Sequence, residues 1–206
     1  MPTNTFNRLS GLFGLIGVAL LLVAVARRAG LVPENTLTHA LAPPASALLL
    51  LTLVGLYRWR SDRLGTLGLV GFAVNFFGLA GLFAIEFTTH AVFPSLDADT
   101  RNAVLAGPAR GYFLTVALLF LAGVLLFGTA LWRARIFPAW AVVLYMIGFG
   151  PAALRGLVPD AVYLGGLVVG GIGTIGLSLV LWQATTRDSN GGADPADRDR
   201  IPVQES

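Results

Sequence analysis

Cysteine and lysine are both absent from the 206-residue chain, and charge is scarce: 14 basic residues, every one arginine, stand against 11 acidic residues and two histidines. Without cysteine there is no disulfide, thiolate metal site, iron–sulfur cluster or cysteine nucleophile, and the redox compartment is left unmarked. Charged residues make up 12% of the chain, where soluble proteins carry about a quarter. No G-x-x-x-x-G-K-[ST] nucleotide loop, no G-x-S-x-G elbow and no mid-membrane histidine pair of the kind haem requires is present, and no cofactor is implied. The net charge of +3 comes from arginines near the ends of apolar runs. That placement suits lipid phosphates and orientation in a membrane, and gives no sign of nucleic-acid binding.

What the chain has in abundance is hydrocarbon: 55% of residues are hydrophobic and the mean hydropathy is +0.75. About 20 apolar residues of helix cross a hydrocarbon core of roughly 30 Å, and the sequence has room for six such runs. The expected fold is all-α, a polytopic transmembrane bundle with spans at residues 9–26, 40–57, 64–87, 111–132, 137–158 and 162–183. The first run ends in Ala24-Val25-Ala26, a form a signal peptidase accepts, but it exceeds the usual signal-peptide length and is read as an uncleaved span. Pro43 and Pro44 predict a late or kinked start to the second span, and Gly148, Gly150 and Pro151 interrupt the fifth. Residues 88–110 form the longest, polar connection, and residues 187–206 are polar enough to predict a disordered cytoplasmic tail.

Arginine counting orients the bundle. With the N-terminus inside, nine arginines (8, 58, 60, 63, 133, 135, 187, 198 and 200) fall on the cytoplasmic side and five (27, 28, 101, 110 and 155) on the other, which favours N-in and C-in. Trp59, Trp132, Trp140 and Trp182, with Tyr57, fall at cytoplasmic span ends as an aromatic belt. The stretches at 28–33 and 133–138 both read R-A-x-[LI]-[VF]-P. Coincidence or a shared interfacial pattern accounts for this; a duplication would instead make two inverted three-span halves, an arrangement found in transporters.

Glycines recur at helical spacing in span six (Gly166, Gly170 and Gly173) and span three (Gly68 and Gly71), where they allow close helix packing. Counted from Leu64, Asn75 lies about 16 Å into span three and Glu86 about 33 Å, at the outer boundary. His90, four residues after Glu86, shares its helix face if the helix continues. Arg155, Asp160, Glu34 and His39 fall at that same boundary. Ionisable groups there need a partner, water or a purpose. Arg155 can pair with Glu86 or Asp160 as a structural element. Alternatively, Arg155, Asn75, Glu86 and His39 can bind a headgroup or small ligand, or Glu86, His90 and Asp160 can act as catalytic proton donor and relay. His39, His90 and Glu86 are chemically sufficient metal ligands, but their spacing matches no metal motif, so no metal site is assigned.

The pattern Gly11-x-x-Gly14-x-x-Gly17, the Trp132-to-Trp140 turn W-R-A-R-I-F-P-A-W and the glycine-rich last span together resemble small multi-span prokaryotic membrane proteins. That resemblance implies a helical bundle and transfers no functional residue. In size, and in the presence of the acidic residues Glu86 and Asp160, the chain is also similar to membrane-embedded terpenoid cyclases. The leading expectation is a non-enzymatic cytoplasmic-membrane component that binds lipid, a small apolar molecule or a partner helix, with membrane lipids, a second copy or another membrane protein as partners. An enzyme acting on a lipid or isoprenoid at the outer leaflet is the second expectation, and a small inverted-repeat transporter the third.

Overall fold

A computed structural model describes residues 3–155 and 157–190, with side chains assigned from residue 5 to residue 183 apart from 156. The elements are α1 (Thr3–Arg28), α2 (Thr36–Ala40), α3 (Ala42–Trp59) and α4 (Ser61–Phe87). A π-helical turn (Thr88–Val92) and a 3-10 turn (Phe93–Ser95) follow, then α5 (Ala98–Ala106), α6 (Ala109–Ala134), α7 (Ala139–Ala153) and α8 (Asp160–Asn190). The described residues contain no strand. The fold is therefore an all-α bundle, and α1, the α2–α3 unit, α4 with its terminal turns, α6 and α8 are each long and apolar enough to cross a membrane.

The fifth expected span differs. Instead of covering 137–158, α7 stops at Ala153, and its 15 residues reach only about 22 Å. Pro151 lies in its last turn, and the chain then folds back through Leu154 N–H to Pro151 O and Leu157 N–H to Leu154 O bonds. The connection at 88–110 is mostly helical rather than a loop. Asp97 caps α5 by accepting from the Thr100 amide and hydroxyl, both at 2.8 Å, and these bonds hold its carboxyl below the usual carboxylate range. At the C-terminus, α8 continues to Asn190, so residues 187–190 are helical where a tail was expected. The rest of the expected tail lies outside the described residues. Pro43 and Pro44 occupy the first turn of α3, as their missing amides allow.

Each bundle helix packs on its neighbour in the order α1, α3, α4, α6, α7, α8, and α8 returns to α1, closing a six-membered ring. The core runs along the ring's axis, with Phe127, Val124, Leu131, Val142, Leu177 and Leu181 fully buried. Outward, Phe77, Leu114, Leu118, Leu125 and Ile147 stand exposed at mid-helix. An apolar belt of that kind fits hydrocarbon rather than water.

Two pairs of helices come closest, and glycine is the reason. A Cβ at Gly148 of α7 would lie 2.0 Å from the Gly170 nitrogen of α8, and one at Gly71 of α4 would lie 2.6 Å from the Phe127 nitrogen of α6. Gly166, Gly170 and Gly173 all face α7, so the span-six stripe packs helix on helix. Gly68 does something else. Its nearest atoms are those of Leu64 on its own helix, one turn from the kink where Gly65 adopts φ 58°.

The two R-A-x-[LI]-[VF]-P stretches both terminate helices. Gly30 (φ 72°) and Arg135 (φ 52°), each third in its stretch, take the left-handed conformation. After α1 the Leu31 amide bonds Ala26 O and the Gly30 amide bonds Arg27 O, a Schellman stop. A left-handed cap followed by proline explains the likeness locally.

Candidate functional site

The end of the ring formed by the C-termini of α1 and α4 and the N-termini of α3 and α8 gathers most of the bundle's buried ionisable groups. Arg27 and Arg28 occupy the last turn of α1, where the helix dipole favours cations. Asn35 fixes α2 through a capping box, accepting from the Thr38 amide at 2.9 Å and donating its own amide to Thr38 Oγ1 at 3.1 Å. His39 is thereby set one residue later, against α1. Glu86 ends α4, and His90 lies in the π turn that continues it.

Arg28 Nη2 lies 3.3 Å from Glu86 Oε1, and Nη1 donates to the Tyr163 hydroxyl at the start of α8. The other Glu86 oxygen stands 3.0 Å from His90 Nε2, so the expected i, i+4 pair forms despite the change of helix type. His90 Nδ1 is 2.9 Å from His39 Nδ1. Arg27, only 3% exposed, donates to His39 Nδ1 and places Nη2 3.3 Å from His90 Nε2, while its Nε has no partner. Because arginine can only donate, His39 Nδ1 must accept. The single Nδ1 lone pair is thus taken by Arg27, and a neutral His39 carries its hydrogen on Nε2.

Beneath Arg28, Glu86 and Tyr163 an internal cavity of about 80 Å³ is lined by all six helices of the ring, including Ala24, Ala45, Leu79, Phe120, Ala152 and Leu167. On the other side of the network a groove of about 940 Å³ opens between α2–α3 and the end of α4. Its walls are Pro43, Pro44, Ala47, Phe83, Phe87 and Ala91, and its polar end is formed by Glu34, His39 and His90. The Glu86–His90 pair thus separates cavity from groove, since Glu86 lines the first and His90 the second.

Of the residues expected at the site, Glu86, His90 and His39 come together. Arg155 does not join them: it is exposed, with its guanidinium 5.4 Å from the Tyr163 ring. Asp160 is exposed in the first turn of α8. Asn75 is fully buried at mid-helix, its amide donating to the Tyr145 hydroxyl at 2.5 Å and its Oδ1 without a partner, far along α4 from Glu86. Among the described residues no group of three His, Asp or Glu side chains is placed to hold a metal. The sequence reading missed Arg27, Arg28 and Tyr163. The signal for the arginines was there, two cations directly continuing an apolar helix with no loop residue between, but they had been counted only as orientation charges.

No protein-family model, curated protein or solved structure matches this chain, so the site's geometry alone carries the functional reading.

Proposed function

We propose that the protein is a non-enzymatic multi-pass component of the cytoplasmic membrane that binds a lipid in the groove between α3 and α4. The carrying observation is the groove itself, about 940 Å³ with apolar walls on α3 and α4 and polar lining from Glu34, Asn35, Thr36, His39 and His90. Its volume lies within the roughly 300–1,000 Å³ typical of small-molecule sites, and an apolar channel with a polar end matches an acyl chain and its headgroup. The excess of arginines on the side of Arg8, Arg58 and Arg133 favours N-in and C-in, which puts the groove at the outer leaflet. Ion pairing argues for binding over proton-transfer catalysis: Glu86, the expected proton donor, is engaged by Arg28 and His90.

Ala47 lies in the groove wall away from the polar network, so Ala47→Trp fills the groove and leaves the charges alone. Lipid retained through purification in a neutral detergent, counted by native mass spectrometry, is expected to fall to background in A47W. Equal lipid occupancy in folded A47W and wild-type protein would remove the groove as the site.

A further inference from the structure

We propose that the occupant of this groove is an anionic phospholipid, its phosphate held by His39 with the charge of Arg27 behind it. The inference rests on the groove being a lipid site. Its ground is the charge balance: Arg28 is answered by Glu86 and Tyr163, and the second Glu86 oxygen is taken by His90. Arg27 is left with imidazoles alone, and among the described residues it forms no ion pair. A cation at 3% exposure with no carboxylate in contact, Glu34 and Glu86 acting on it only from beyond ion-pair distance, is costly, and the C-terminal dipole of α1 offsets only part of that cost.

The hydrogen-bond pattern shows how an anion supplies the rest. With Nδ1 accepting from Arg27, His39 presents an Nε2–H that has no partner among the described residues, on a ring that lines the groove. Arg27 polarises that ring, making it a stronger donor to phosphate. Glu34, the one carboxylate lining the groove, is exposed on the connecting segment, where solvent screens its repulsion.

The test uses full-length delipidated protein in neutral detergent, titrated with phosphatidylglycerol, phosphatidylcholine or diacylglycerol and read by native mass spectrometry. Phosphatidylglycerol is expected to bind roughly tenfold more tightly than phosphatidylcholine, whose phosphate is the same but whose choline cancels the headgroup charge presented to Arg27, and diacylglycerol, which offers His39 no phosphate, more weakly than either. His39→Phe keeps a ring and removes the donor to the phosphate, so it should weaken both phospholipids toward the affinity of diacylglycerol. Arg27→Gln should bring phosphatidylglycerol to parity with phosphatidylcholine, and if it does not fold, H39F and the wild-type lipid ratio decide. Glu34→Gln should tighten phosphatidylglycerol binding. Parity of the two phospholipids in wild-type protein, with binding still abolished in A47W, would overturn the anionic headgroup and leave the lipid groove standing. Undiminished binding in A47W would overturn the groove instead. Displacement of phosphatidylglycerol by inorganic phosphate would show a free-anion site and also overturn the proposal.

Discussion

Glu86→Ala should destabilise the protein by about 3 kcal/mol or more, the usual cost of removing one partner of a buried ion pair. Among the described residues Glu86 is the only carboxylate bonded within the network, and two groups depend on it: Arg28, whose side chain is 17% exposed, and His90, at 6%. Without the carboxylate, Arg27 and Arg28 at the end of α1 face each other and two histidines with only the exposed Glu34 opposing them. Glu86→Gln keeps the acceptor oxygen for one of the two partners and should recover part of the loss. Thermal unfolding in detergent micelles provides the measurement. An E86A protein that unfolds with wild type would mean that Arg28 is stabilised by something other than this pair.

Gly148→Val should be at least as damaging, because the atom added first is the one with no room. A Cβ at this position falls 2.0 Å from the backbone nitrogen of Gly170 and 2.5 Å from its Cα. Backbone cannot rotate aside as a side-chain end can, so α7 and α8 must separate. Overpacking of this kind costs about 1–3 kcal/mol, and more where a helix pair is displaced. In hydrocarbon the loss is direct, since close packing is what holds membrane helices together. Gly165→Ala is the control: a Cβ there meets nothing within 4 Å, and alanine is a better helix former than glycine by about 1 kcal/mol. G165A should therefore unfold at or slightly above the wild-type temperature while G148V falls well below it. Matching behaviour of the two would contradict the packing described for α7 and α8.

The bundle was legible because its signal is long and repeated. Each run of apolar residues reports its own helix: α3, α4 and α6 begin and end within three residues of the expected spans, while α1 starts six residues earlier and α8 ends seven later. What failed were places where one residue decides. Pro151 ends α7 early, which hydropathy across 137–158 conceals, and Asp97 nucleates a helix within a stretch that reads as polar loop. At the site, helical spacing brought Glu86 and His90 together correctly, and shared membrane depth brought in His39. Depth alone also enrolled Arg155 and Asp160, since residues at one height can still point to different sides of a ring. Arg27 was overlooked for the converse reason: position in sequence marked it as interfacial, whereas His39 from α2 and His90 from the π turn pack against it in the folded chain.

The arrangement of the two ends of the ring on opposite faces of a membrane is the claim on which the site depends, and the lack of native cysteine makes it directly measurable. Single cysteines placed at Leu31, Asp99 and Leu157, at the end that carries Arg27 and Glu86, and at Ser61 and Arg133, at the other, can be challenged with a membrane-impermeant maleimide in intact cells. The first three should label and the last two should stay protected until the membrane is opened. Labelling of Leu31 and Ser61 from the same side would contradict the fold's placement in the bilayer, and with it the groove at the outer leaflet.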